Sequence, residues 1–159
     1  MKLAAHYSIN EHGESLRGGM IEIVGGKIAD YRELGLPIPE LAGMEFHSGV
    51  IVPAFPNLSA CEAALQKTKQ SNSAIAWLQA MPLRLQANFY IEWMLALQNA
   101  DAQFNLKDAV RIFCCELPKL LQLDEIKLQL GRTINLWLVS GVDYQTFRLN
   151  NSSKLRLLI

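Results

Sequence analysis

Three histidines and three cysteines are the residues of this chain best suited to metal binding or nucleophilic catalysis. A mononuclear hydrolytic site needs several converging imidazoles and a carboxylate, with one position left open for water. His6 falls in an alternating apolar run, His12 in a turn-rich stretch and His47 at the start of another apolar run. Their separations match no ligand spacing, so surface or ordinary structural roles are expected for all of them. Cys114 and Cys115 are adjacent, which on a helix aims them about 100° apart. No C-x-x-C pair is present, and Cys61, Cys114 and Cys115 read as small buried apolar side chains. A cysteine nucleophile with a histidine base is compatible with the sequence, because such partners lie far apart along a chain, but no pattern selects it. Gly25-Gly26 lacks the G-x-G-x-x-G context and the following helix of a phosphate cradle. Trp77, Trp93, Phe89 and Tyr90 read as core aromatic residues rather than a pocket lining.

The elements that must hold these residues are β at both ends and helical in the middle. Strands are predicted over Lys2–Ile9, Met20–Val24, Lys27–Tyr31 and His47–Val52. Gly25-Gly26 supplies the two positive-φ positions of a tight hairpin between the second and third of these. Asn72 or Ser73 caps a helix running to Met81, and Pro82 opens a second that carries Arg84, Asn88 and Glu92 as its only polar stripe. Asn105 caps a third helix with Asp108 in its first turn and Leu106, Ala109, Val110, Phe113 and Leu117 on its buried face; Pro118 ends or kinks it. Strands follow at Ile126–Leu130, Ile134–Val139, Phe147–Leu149 and Leu155–Ile159, with turns at Ser140-Gly141 and Asn150–Ser153. The fold class expected is α+β, a small β-sandwich or roll built from N- and C-terminal strands with about three helices to one side. Residues 1–56, 57–122 and 123–159 are its three segments, forming one structural unit.

Composition narrows the function classes. Fifteen basic and fifteen acidic residues cancel, and no Lys/Arg run marks a nucleic-acid footprint. No stretch reaches the roughly 20 apolar residues of a membrane helix, and the first residues lack the apolar run of a signal peptide. With no disulfide framework either, a reducing cytoplasm is the expected compartment.

At residues 49–62, GVIVPAFPNLSACE resembles the passage by which amidohydrolase-superfamily enzymes leave their small β domain for the first barrel strand, typically G-x-x-V-P-G-F-x-N-x-H-x-H. RGGMIEIVGGKIADY is similar to that family's N-terminal hairpin. LGRTINLWLVSGVDYQTFRLNNSSKLRLLI is similar to its closing strands. FNLKDAVRIFCCELPKLLQLDE resembles the helix that carries an A-T-x-N-x-A motif, with Cys114, Glu116 and Pro118 in place of Thr, Asn and Ala. The nearest branch is that of the guanine and aminodeoxyfutalosine deaminases. The resemblance implies a composite β domain and a metal-dependent hydrolytic activity, but it also implies which parts are missing. Aligning Asn57 with the family asparagine puts Ser59 and Cys61 where the metal-ligating histidines belong, and Lys67 where an aspartate acts on the metal-bound water. A serine hydroxyl is a poor zinc ligand, and one thiolate does not make a site. The family's barrel takes about 250 residues, against roughly fifty between Asn57 and Leu106.

The resulting expectation is a non-catalytic amidohydrolase-like remnant with no metal and no cofactor, acting as an oligomeric structural or protein-interaction module. The thin polar stripe of the second helix leaves Leu85, Phe89, Tyr90, Trp93 and Leu97 as candidate interface residues, and a homodimer is the simplest cover, with another protein as the alternative. Two other readings stand beside it: a metal-dependent hydrolase of non-peptide carbon–nitrogen bonds with a rebuilt site, and a small-ligand binding module using an apolar pocket between sheet and helices.

Overall fold

The computed structural model describes residues 1–56 and 89–159. Ser59, Cys61, Lys67, Leu85 and the helix expected before Met81 lie outside the described residues. Lys2–Ile9 forms β1, with the bounds that its alternation predicts. β2 (Ser15–Arg17), β3 (Gly19–Val24), β4 (Lys27–Glu33) and β5 (Met44–Pro53) follow. The β3–β4 turn is the expected one: Gly25 and Gly26 have φ of 58° and 75°, and Val24 pairs with Lys27.

After the middle segment come α1 (Phe89–Ala100), α2 (Leu106–Arg111) and α3 (Leu117–Leu121), then β6 (Leu136–Val142) and β7 (Leu149–Leu157). The chain is α+β, and its strands join one mixed seven-stranded sheet in the order β4-β3-β1-β5-β6-β7, with β2 on the far end of β1. Only the β1–β5 pairing is parallel among the pairs described. Strands from the two ends of the chain meet where β5 pairs with β6, Ile51 opposite Leu138. The sheet also rolls, because outer strand β4 is tied to the segment ahead of β6: Ile28 N–H donates to the Arg132 carbonyl and Gly131 N–H to that of Ile28 (2.9 and 2.8 Å).

The central part of the sheet is buried on both faces. Val50, Val52 and Val139 pack beneath the helices with Phe89, Trp93, Leu106 and Phe113. Ile51, Leu136 and Leu138 point the other way, onto Leu3, Ile21, Ile23 and Ile28 inside the roll. The Asn105 cap forms as predicted, as a capping box in which Oδ1 accepts from Lys107 N–H and Asp108 accepts from the Asn105 N–H.

Four expectations are corrected. Ile126–Leu130 is not a strand: Ile126 N–H donates to the Cys114 carbonyl and Leu128 N–H to Glu11 Oε2 (3.3 and 2.9 Å), so donors that would face a neighbouring strand are used otherwise. Pro118 does not end the third helix, which passes through a π-helical turn over Ile112–Glu116 and continues to Leu121. Ser140-Gly141 is no reversal but an irregularity inside β6, and Asn150–Ser153 lies within β7. The chain reverses over Asp143–Arg148 instead, where Asp143 Oδ1 accepts from Gln145 N–H and Oδ2 from the Thr146 hydroxyl.

Candidate functional site

The histidines do not come together. His6 pairs with Tyr144, His12 lies beside Cys115, and His47 lies against Arg156; His6 and His47 sit on the paired strands β1 and β5 but have different side-chain partners. Among the described residues, no group of three or more His, Cys, Asp and Glu side chains is arranged to hold a metal ion.

His6 owes its setting to a break in β1. Ala5 pairs with His47 but Tyr7 with Val50, so β5 carries one extra residue, at Ser48-Gly49. Such a bulge re-aims the side chains beside it. Ala5 accordingly belongs to the core inside the roll, while Tyr7, two residues on, packs against the core beneath the helices. Gly49 makes the bulge possible: its φ is +149°, and a Cβ there would sit 2.6 Å from the Val139 carbonyl oxygen.

At this break His6 stands between Phe46, edge-on with ring centroids 5.1 Å apart, and Tyr144, 4.8 Å away. The Tyr144 hydroxyl is 3.1 Å from His6 Nδ1. Tyr144 comes from the Asp143–Arg148 turn and also touches Tyr7, whose ring meets Phe147 edge-on. On its other side His6 lines a cleft of about 360 Å³ with Leu36, Ile38, Pro39, Glu40, Met44 and Phe46. Leu36 and Phe46, both in that lining, remain 43% and 47% exposed. The walls are apolar, with one imidazole and one carboxylate among them, and the depression is more open than enclosed. Sequence reasoning placed His6 on a strand but missed Tyr144 and the cleft, since nothing local links residues so far apart.

The second grouping is the cysteine–histidine pair that the sequence left open. Cys115 Sγ lies 3.8 Å from His12 Nδ1 and donates to the Glu11 carbonyl at 3.3 Å, while His12 Nε2 is 3.6 Å from Glu11 Oε1. The order is that of nucleophile, base and orienting acid, but the electrostatics oppose it. Burial pushes the Cys115 thiol up, and the Glu11 and Glu125 carboxylates push it further. A thiol held protonated and bonded to a backbone carbonyl is a poor nucleophile. Cys114 is buried, and burial pushes it up as well. His47 is held differently again: Nδ1 faces the Arg156 guanidinium at 3.3 Å and Nε2 lies 3.9 Å from Glu45.

Of the residues read as an interface, Phe89, Tyr90 and Trp93 are 6%, 5% and 4% exposed and belong to the chain's own core, with Tyr90 and Trp93 against Phe113 and Phe89 against Trp93. Leu97 is half-buried against that core. No described helix is long and apolar enough to cross a membrane. Neither the protein-family models nor the curated proteins compared with this chain give a match.

Proposed function

We propose that this chain is a non-catalytic binding module that holds a small, largely apolar molecule in the cleft beside His6. The observation that carries the reading is the cleft itself: Leu36 and Phe46 stay substantially exposed around an imidazole fixed on its far side by Tyr144. Exposed apolar walls of that kind are retained at a cost in solubility, and a ligand that covers them offsets it. The non-catalytic character draws support from the different side-chain partners of the three histidines and from the protonated state favoured for Cys115.

The wider reading is of an amidohydrolase-like β domain without its barrel. Its support is the pairing of β5 with β6, which brings the strands of both ends into one sheet, together with the sequence pattern at residues 49–62. Association with a second copy draws no support from Phe89, Tyr90 and Trp93, whose surfaces are already covered.

The test is a titration with ethylbenzene followed by NMR on the side chains of Ile38, Met44 and Phe46. Saturable shifts confined to the cleft, weakened several-fold by Phe46→Ala, are the expected result. Shifts that do not saturate, or that spread over the surface without regard to the cleft, would refute the assignment.

A further inference from the structure

If the chain is the binding module proposed above, the His6–Tyr144 pair limits what the cleft ligand must carry. Tyr144 Oη and His6 Nδ1 are 3.1 Å apart, so one proton lies between them. A phenol is a good donor and a weak acceptor, because its oxygen lone pair is drawn into the ring. A neutral imidazole nitrogen is a good acceptor. The hydroxyl therefore donates to Nδ1, and the imidazole proton resides on Nε2. If the ring takes up a second proton, Nδ1–H turns and donates to Oη, and Nε2 still carries its hydrogen. Nε2 is thus a hydrogen-bond donor in both protonation states.

Nε2 has no protein hydrogen-bond partner among the described residues, and His6 lines the cleft, so Nε2 is the ring nitrogen left to meet a ligand there. The other polar lining residue is Glu40, an exposed carboxylate. It sets a negative potential at the mouth, which disfavours an anionic ligand. The remaining walls, Leu36, Ile38, Pro39, Met44 and Phe46, are apolar. We infer that the cleft is a site for uncharged carbonyl compounds: an apolar ring or chain seated on Phe46 and Met44, with its carbonyl oxygen accepting from His6 Nε2–H. Tyr144 acts as a positioning residue, fixing the tautomer without touching the ligand.

Three probes and one spectrum test this. Acetophenone, its carbonyl-free analogue ethylbenzene, and benzoate are titrated separately, and imidazole nitrogen shifts report the His6 tautomer in the free protein. The expected result is an Nε2–H tautomer, with acetophenone binding about fivefold tighter than ethylbenzene, the gain of one hydrogen bond. Benzoate binds more weakly than acetophenone. Tyr144→Phe lets the proton divide between the two nitrogens and lowers the acetophenone preference while leaving ethylbenzene binding in place. His6→Ala abolishes the preference. An Nδ1–H tautomer overturns the inference without any variant having to fold. Equal binding of acetophenone and ethylbenzene at the cleft, or tighter binding of benzoate, overturns it and leaves the binding-module reading intact. Failure of all three to saturate the cleft overturns both.

Discussion

The carboxamide of Gln98 pairs with both backbone groups of Leu149: Nε2 donates to the Leu149 carbonyl at 3.0 Å, and Oε1 accepts from its N–H at 2.8 Å. Leu149 opens β7, the outermost strand of the sheet, and sits opposite Val142 of β6. With both of its backbone groups turned to Gln98, it is not hydrogen-bonded to Val142. A side chain of α1 therefore takes the place of a further strand, and it closes the sheet edge where the helices cover it. Arg148, one residue earlier, donates to the carbonyls of Ala102 and Phe104 and fastens the same corner.

Gln98→Leu leaves the two Leu149 backbone groups buried and unpaired, each costing about 1–3 kcal/mol. Urea denaturation is expected to show a loss of about 2–4 kcal/mol, with the Leu149 amide losing its protection from hydrogen exchange. A loss below about 0.5 kcal/mol, the level of an ordinary surface change, would mean that the clamp is replaceable by water.

Glu11 provides a tether of another kind. Its nearly buried carboxylate accepts from Leu128 N–H at 2.9 Å and holds the segment that the sequence suggested was a strand. Glu11→Ala removes the acceptor and should destabilise by about 1.5–3 kcal/mol, the range for a hydrogen bond to a charged group. Glu11→Gln keeps an oxygen in place and should recover most of that loss. Equal losses for both variants would show that charge, not the acceptor, holds the segment.

Gly49→Ala tests the bulge that places His6. The added methyl meets the Val139 carbonyl oxygen in a backbone conformation that L residues rarely adopt. A loss of about 2–3 kcal/mol is expected, accompanied by a change in the His6 and Phe46 ring shifts. A variant as stable as the parent with unchanged ring shifts would remove Gly49 from the account of the cleft.

Alkaline pH should weaken the fold through Tyr31. Burial pushes its hydroxyl from 10.0 up to about 12, with Glu11 and Glu14 adding to the rise and the Ser8 hydroxyl partly opposing it. A group whose folded pKa is raised contributes stability that is whole below its unfolded pKa and lost as pH climbs through the folded one. Over the window from pH 10 to 12, Tyr31 should account for a loss of about 2–3 kcal/mol. Tyr31→Phe should flatten that part of the stability profile. An unchanged profile in the variant would place the alkaline loss elsewhere.

What the sequence determined by itself is what neighbouring residues decide among themselves. Alternation set the bounds of β1, paired glycines with positive φ set the β3–β4 turn, and Asn105 with Asp108 set the start of α2. The amphipathic face of the third helix was legible for the same reason, since Leu106, Ala109, Val110, Phe113 and Leu117 are all buried. The tertiary structure decided whatever depended on a partner far along the chain. The segment before β6 is apolar enough to be a strand, but Glu11 and the Cys114 carbonyl claim its amides. The β6–β7 reversal moved to Asp143–Arg148, and the more turn-like Asn150–Ser153 was drawn into β7, where Asn150 and Ser153 side chains bond the Gly141 carbonyl. The cleft was hidden most completely. It needs an extra residue in β5 to turn His6 and a tyrosine 138 residues away to fix its ring, and no local rule of backbone geometry or side-chain periodicity encodes a contact of that separation.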